Sequence, residues 1–192
     1  MSSMSIRVAE KAESERILNL ITLAFTADPT ARWLYPDAHD FIKFGPELNS
    51  RFGGRAFEHG TAFVAEDYAG AALWLPPGIH PDEEGLVEHI EKTIPASRHE
   101  EVVGVFEEMD AFHPAEPHYY LPLIGVDPFS QGRGIGTKLM KYSLEQFEVQ
   151  GGPIYLESSN PHNIPFYERL GFAALGRINA GDKAVLTPMV RA

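Results

Sequence analysis

The chain has 192 residues, 44% of them hydrophobic, which fits one globular domain spanning residues 1–192. The absence of cysteine excludes disulfides, thiolate metal ligands and a cysteine nucleophile, and a formal net charge of −11 disfavours nucleic acid, whose phosphates need clustered cations. No apolar run is long enough to cross a membrane, and Met1 to Ser14 lack a signal-peptide core, so we expect a cytoplasmic protein.

The amino-terminal part predicts a short strand followed by a helix. Ile6 to Val8 have strand character, and apolar residues at helical spacing follow them. The helix is predicted to stop near Asp28-Pro29, because a proline disfavours helical geometry in the residue before it. The connector that follows is rich in aromatic residues, and its Trp33 and Tyr35 either dock on the core or line a pocket.

The middle of the chain predicts a helix from Phe41 to Phe57 and then a hairpin. The two strands of the hairpin are residues 61–66 and 71–75, with a turn between them. Residues 82–110 are acidic, but they carry periodic apolar positions and a break at Pro95, which predicts two helices with solvated glutamate faces.

Residues 118–138 combine a strand, a glycine-rich turn and the start of a helix. The first N–H groups of a helix have no internal partner, and glycines let backbone approach a ligand, so this segment predicts an anion cradle. A dinucleotide-binding fingerprint fails because its third glycine is missing, and a Walker loop fails because its second glycine is missing. A tight turn that uses glycine only for its geometry is the alternative.

The last third predicts a strand at 154–157, a helix at 163–170 that ends at Gly171, and closing strands at 172–175 and 184–190. A glycine suits the left-handed conformation that often follows a helix. No histidine pair has metal-ligand spacing, so no metal is predicted.

Two motifs in these segments resemble those of the GCN5-related N-acetyltransferase (GNAT) superfamily. They are Gln131-x-x-Gly134-x-Gly136 after a strand, and the ten residues from Asn163 to Phe172. Residues 113–117 and 156–159 extend the resemblance to the puromycin N-acetyltransferase-like branch, whereas residues 30–110 match poorly. The resemblance implies an α/β GNAT fold: a mixed, mostly antiparallel central sheet of six to seven strands, helices on both faces, and a splay between the fourth and fifth strands.

The resemblance also implies that acetyl-CoA is the cofactor. Backbone of the central strand would bind the pantetheine arm, with the Ile124 N–H as an oxyanion-hole donor, and Gly125 is expected to mark a bulge beside the splay. The residues assigned to the cofactor are Ile124, Gly125, Val126, Gln131, Gly132, Arg133, Gly134, Ile135, Gly136, Thr137, Asn163 and Tyr167.

Tyr167 occupies the position that this superfamily uses for the general acid. A phenol titrates near ~10, so it is protonated at neutral pH and can protonate the leaving thiolate. Glu157 and His118 are the two candidate bases for the amine. For each of the three, a purely structural role is the alternative.

The resemblance therefore implies transfer of an acetyl group to a primary amine of a small molecule by direct attack in a ternary complex. Trp33, Tyr35 and Trp74 are the candidate substrate-binding residues, since they would favour an acceptor with apolar surface. The alternatives are a protein or peptide N-acetyltransferase and a non-catalytic CoA-binding regulatory module. The identity of the acceptor, and whether the protein is a monomer or a homodimer, stay open.

Overall fold

A computed structural model of the protein describes residues 5–147 and 151–192; Met1 to Met4, part of the stretch predicted to lack a signal segment, lie outside these ranges. The strands are β1 (Ile6–Val8), β2 (Ala62–Ala65), β3 (Gly70–Leu75), β4 (Tyr119–Val126), β5 (Ile154–Ser158), β6 (Ala173–Ala174), β7 (Ile178–Ala180) and β8 (Ala184–Arg191). The α-helices are α1 (Ser14–Ala24), α2 (Pro29–Leu34), α3 (Ala38–Gly53), α4 (Glu83–Thr93), α5 (His99–Phe112), α6 (Ile135–Phe147) and α7 (Ile164–Glu168).

The described strands form one mixed sheet in the order β1-β2-β3-β4-β5-β8-β6, and β7 pairs with β8 beside this path. All pairs are antiparallel except β4 and β5, which are parallel. The predicted fold class is confirmed, but the sheet has eight strands rather than six to seven. The additional strand is β7, whose three residues are too few to show a periodic pattern.

The sheet opens between β4 and β5, as predicted. The two strands pair only where Tyr119 to Leu121 lie beside Ile154 to Leu156. Beyond Leu121, no described strand pairs with β4 on that side, while β5 stays paired with β8 as far as Ser158. An open strand edge is thus left inside the protein.

The bulge beside the opening lies elsewhere than predicted. Gly125 pairs regularly with Ala71, so the expectation of a bulge at Gly125 is wrong. The register shifts instead between the pairs Leu73–Leu123 and Leu75–Tyr120, which places the extra residue at Leu121-Pro122. A glycine is needed at 125 for close packing: a Cβ there would lie 2.8 Å from the Cβ of Ala24 at the end of α1.

Helices cover both faces of the sheet. On one face, α6 packs on a cluster that includes Phe63, Trp74 and Leu121. On the other face, α1 packs on Val64 and Leu73 of β2 and β3. Because successive strand residues point to opposite faces, the position of a residue along β3 decides which layer it joins.

One helix was predicted to be a connector. The first helix, α1, already ends at Ala24, before the predicted stop near Asp28-Pro29. The Asp28 carboxylate accepts hydrogen bonds from the N–H groups of Thr30 and Ala31, and Pro29 occupies the first turn of α2. Both features favour a helix start. The two helices predicted between residues 82 and 110 are confirmed as α4 and α5. Among the described residues, no helix combines the length and the apolar character needed to span a membrane.

Candidate active site

A cavity of about 570 Å³ occupies the opening between β4 and β5. The open part of β4, the glycine-rich turn, the end of β5 and α7 form one side of it. Aromatic and apolar residues of the α1–α2 region, α3 and α5 form the other side. The splay of the sheet is therefore what creates the cavity.

The glycine-rich turn presents free N–H groups to this cavity. The first hydrogen bond of α6 runs from the Lys138 N–H to the Gly134 carbonyl at 3.1 Å, so the N–H groups of Ile135, Gly136 and Thr137 belong to the unpaired first turn. Gly132 and Gly134 have φ of 73° and 75°, and a Cβ at either position would meet no atom within 4 Å. The turn therefore combines left-handed backbone, open space and the positive end of a helix, which suits an anion.

The open edge of β4 directs two further N–H groups into the splay. The Asp127 N–H donates to the Ala69 carbonyl on the β3 side at 3.0 Å. Because strand N–H groups alternate in direction, those of Val126 and Ile124 point away from β3 and into the opening. At the other end of β4, the Tyr119 N–H donates to the Pro153 carbonyl at 3.1 Å, on the β5 side. The extra residue at the bulge explains why odd-numbered residues direct their N–H groups toward β3 at one end of β4 and toward β5 at the other.

Tyr167 lies on the cavity wall near the half-buried carboxylate of Asp28. Burial, and then the charge of Asp28, raise the pKa of Tyr167 well above its ordinary value, so the phenol is protonated at neutral pH. Asp28 accepts a hydrogen bond from the Ser159 hydroxyl at 2.6 Å, which ties the start of α2 to the end of β5. Burial raises the pKa of Asp28, and its hydrogen bonds partly offset this effect. Within the described residues, no hydrogen bond engages the Tyr167 hydroxyl, which leaves it available to a ligand.

Glu157 also lines the cavity, and it is linked to two histidines behind it. Its side chain is 3% exposed, and its Oε1 lies 3.5 Å from Nε2 of His113 at the end of α5. His113 Nδ1 lies 3.0 Å from His118 Nε2, and His118 Nδ1 donates to the Glu116 carbonyl at 2.8 Å. The structure thus brings Glu157 to the cavity, whereas His118 is not among the residues that line it.

Two buried tyrosines flank the Glu157 carboxylate. Burial, and then the charge of Glu157, raise the pKa values of Tyr120 and Tyr155 well above their ordinary values. Tyr155 Oη and Glu157 Oε1 are the two buried side-chain polar atoms in the described ranges that have no hydrogen-bond partner. A buried acceptor without a donor is costly, so Glu157 Oε1 has unused capacity for a hydrogen bond.

The predicted aromatic wall is present, although Trp74 is not part of it. Trp33 and Tyr35 line the cavity, and their polar atoms are held from outside it: the Trp33 Nε1–H donates to Glu101, and the Tyr35 hydroxyl bonds Thr93. Trp74 is fully buried beneath α6, and its Nε1–H donates to the Ser143 hydroxyl at 2.9 Å. The Trp74 side chain therefore belongs to the core, and we do not retain it as a substrate contact.

Of the remaining predicted cofactor residues, some line the cavity and one does not. Asn163 precedes α7 and makes no side-chain cap hydrogen bond, so its amide remains available to the cavity that it lines. Gln131 lines the cavity and donates to the Val126 carbonyl at 3.3 Å. Arg133 is exposed and does not line the cavity.

Sequence reasoning missed the contributions of Asp28 and His113. It treated Asp28 as a helix stop and His113 as part of a motif without a role. The spacing of His113 and His118 was a usable signal, because the two histidines flank the entry to the central strand. Their alignment on Glu157 depends on the pairing of β4 with β5, which the sequence does not show.

Comparison with known proteins agrees with this geometry. The model of the "Acetyltransferase (GNAT) family" matches residues 61–172, more than half of the chain. An "Uncharacterized N-acetyltransferase C550.08" of Schizosaccharomyces pombe is 26% identical over 190 residues, which cover 88% of this chain and 74% of that protein.

Solved structures share the whole fold. A histone acetyltransferase HPA2 and related acetyltransferase from Corynebacterium glutamicum superposes with a TM-score of 0.68 at 25% identity, covering 98% of this chain and 96% of that one. Arylalkylamine N-acetyltransferase 2 from Aedes aegypti superposes with a TM-score of 0.70 at 14% identity, covering 100% and 99% of the two chains.

A sheet splayed at one parallel strand pair, with a glycine-rich helix start beside the opening, defines an acyl-CoA-dependent N-acetyltransferase. The chain belongs to the Acetyltransferase (GNAT) family, whose members generally use acetyl-CoA as the acetyl donor.

Proposed function

We propose that this enzyme transfers the acetyl group of acetyl-CoA to a primary amine of a small molecule, by direct attack in a ternary complex. The observation that carries the proposal is that the glycine-rich turn, the open edge of β4, Tyr167 and Glu157 all line one cavity. Direct attack requires donor and acceptor in a single space. The cavity volume of about 570 Å³ is within the range of roughly 300–1,000 Å³ that is usual for small-molecule sites.

The residues present fit acetyl-CoA. The unpaired N–H groups of Ile135, Gly136 and Thr137 would hold the diphosphate at the positive end of α6. The N–H groups of Ile124 and Val126 would bond the pantetheine arm, which extends the sheet as an added strand does at an open edge.

The burial and the protonation state of Tyr167 support its proposed role as the general acid. Acetyl-CoA supplies an activated acetyl thioester. The Ile124 N–H would donate to the thioester oxygen, where negative charge would develop, and the Tyr167 hydroxyl would give its proton to the departing sulfur. Because the pKa of Tyr167 is raised, this proton is present throughout the neutral range.

Glu157 is the base that the geometry favours. An alkyl amine is protonated at neutral pH and must lose a proton before it can attack. Glu157 lines the cavity, whereas His118 lies behind His113 and does not line it. Glu157 therefore accepts the proton directly.

The lining of the cavity favours an acceptor with an aromatic or other apolar arm. Phe106 of α5 lines the cavity together with Trp33 and Tyr35. The structurally similar Aedes aegypti protein is named for arylalkylamines, which combine a primary amine with such an arm. The motifs at residues 113–117 and 156–159 support placement in the puromycin N-acetyltransferase-like branch.

A screen of acetyl-CoA consumption tests the proposal. The panel comprises aminonucleosides, arylalkylamines, polyamines, aminoglycosides and peptides with a free amino terminus, and mass spectrometry identifies each product. We expect turnover of small amines that carry an apolar arm, with acetyl on nitrogen. A preference for peptides, or no acetylated product from any small amine, would contradict the proposal.

A further inference from the structure

The hydrogen bonds behind Glu157 have a fixed direction. The Glu116 carbonyl can only accept, so Nδ1 of His118 carries a hydrogen. In a neutral ring, His118 Nε2 is then an acceptor, and the 3.0 Å contact requires Nδ1 of His113 to donate to it. The remaining nitrogen of neutral His113, Nε2, is therefore also an acceptor, and it faces Glu157 Oε1 at 3.5 Å.

Two acceptors thus face each other at the inner end of this chain of contacts. A charged carboxylate and an imidazole lone pair repel each other, and Glu157 Oε1 has no donor among the described residues. A proton placed between the two atoms converts the contact into a hydrogen bond. The contacts therefore form a continuous path from Glu157 through His113 to His118.

The ring of His113 is held in place from both sides. Its centroid lies 4.6 Å from that of Tyr120 and 4.3 Å from that of Tyr155. The charged and titratable groups that face the network are Tyr120 on β4, Tyr155 and Glu157 on β5, Asp110 on α5, and His80 before α4. His118 lies at the outer end, next to exposed Glu116.

We propose that His113 and His118 form a relay that carries the proton of the acceptor amine from Glu157 to the solvent. This inference rests on the proposed function, in which Glu157 takes that proton. In this proposal, His113 is a residue that acts through Glu157, and His118 is the residue that releases the proton to water.

The steps balance as a single proton transfer. The ammonium N–H bond breaks, its electron pair stays on nitrogen, and the proton bonds to Glu157. Glu157 passes a proton to His113 Nε2, and His113 passes its Nδ1 proton to His118 Nε2. His118 then releases to water the Nδ1 proton that it had donated to the exposed Glu116 carbonyl. Each ring then exchanges its Nε2 proton for an Nδ1 proton with water, which restores the starting tautomers without turning the ring; the side chain of His113 is 22% exposed. One proton enters and one leaves, so the network keeps its charge.

Two isomeric amines distinguish a proton-relay role of His113 and His118 from a purely structural role. Phenethylamine is an alkylammonium at neutral pH, with a pKa near that of lysine, ~10.4, whereas para-ethylaniline is already neutral and needs no base before attack. In His113→Gln and His118→Gln we expect kcat/KM at neutral pH to fall at least ~10-fold for phenethylamine and to stay within about 2-fold for para-ethylaniline. The loss for phenethylamine should shrink at alkaline pH, where solvent supplies the free amine.

His99→Gln is the matched control, because His99 also bonds a carbonyl near α5 but lies outside the network. Its kinetics with both amines should match the wild type. Equal losses for both amines in the His113 and His118 variants would overturn the relay and indicate a structural role. No turnover of either amine by the wild type would count against the proposed function instead.

Imidazole nitrogen NMR on the wild-type protein without ligand tests the relay independently of turnover. We expect the hydrogen of each neutral ring on Nδ1, and a change in the His113 signals in Glu157→Gln. Neutral His113 with its hydrogen on Nε2 would overturn the proposal even if the kinetic results agreed.

Discussion

The proposed chemistry depends on one group, the hydroxyl of Tyr167. Tyr167→Phe removes the proton donor and keeps the buried ring, which is 5% exposed. We expect kcat to fall at least ~100-fold, within the usual range for loss of a general acid, because the thiolate must then leave unprotonated. The dissociation constant of acetyl-CoA, measured by calorimetry, should change little.

Tyr142→Phe is the control for this variant. Tyr142 is half-buried on α6, where it packs against Phe63. Its kcat should equal that of the wild type. A Tyr167→Phe enzyme with unchanged kcat would refute the acid role.

Glu13 is a second residue whose charge has a measurable consequence. It accepts two hydrogen bonds from Arg7, one from the Tyr68 hydroxyl and one from the Glu10 N–H. These bonds, with Arg7 the largest contributor, hold the pKa of Glu13 far below its ordinary value of 4.5. A carboxyl group whose pKa is lowered in the folded state stabilises the fold at pH values above its ordinary pKa. This contribution is lost as the pH falls through the folded-state pKa.

Glu13→Gln should therefore lower the free energy of unfolding at neutral pH by about 1 kcal/mol, the upper end for a solvent-screened pair. The difference between wild type and variant should diminish in acid, where the wild type loses the same charge. Urea unfolding across the acid range measures it. A difference that is independent of pH would show that the carboxylate charge is not the cause.

At the scale of elements, the contact between α1 and β4 sets the geometry of the splay. A Cβ at Gly125 would lie 2.8 Å from Ala24 Cβ and 3.5 Å from Ile21 Cα, so Gly125→Ala must push α1 away from the strand. We expect a loss of ~1–3 kcal/mol in stability, as is typical of overpacking, and weaker binding of acetyl-CoA at the displaced edge.

Gly104→Ala is the matched control in α5, where a Cβ would meet no atom within 4 Å. That substitution should stabilise the protein by ~0.5–1 kcal/mol, because alanine favours a helix interior. Urea unfolding compares the two variants. A Gly125→Ala protein as stable as the wild type would contradict the close packing.

The same scale shows which elements the sequence could predict. The glycine-rich turn and the last helix have local signals, and both are present. That helix, predicted at 163–170, is the shorter α7 (Ile164–Glu168), and Gly171 beyond it is left-handed. The start of α2 was missed because Asp28-Pro29 was interpreted only as the stop of the first helix, whereas Asp28 caps the start of the next one. β7 was missed because its pairing with β8 is a contact between strands, not a pattern within one.

At the scale of the whole molecule, the site depends on contacts between distant segments. Trp74 and Leu73 are adjacent in sequence but lie on opposite faces of the sheet, so their types alone could not place them. His113 meets Glu157 only because β4 and β5 pair in parallel at their first residues. The sequence therefore predicted the glycine-rich turn and the open strand, but not the neighbours of Glu157.

Amide NMR during titration with acetyl-CoA tests the central claim most directly, because it reports every backbone N–H at once. We expect the largest shifts at residues 131–137 and at Ile124 and Val126, with smaller effects on the acidic surface of α4. If the largest shifts fell outside the glycine-rich turn and the open edge of β4, the assignment of this cavity to acetyl-CoA would be contradicted.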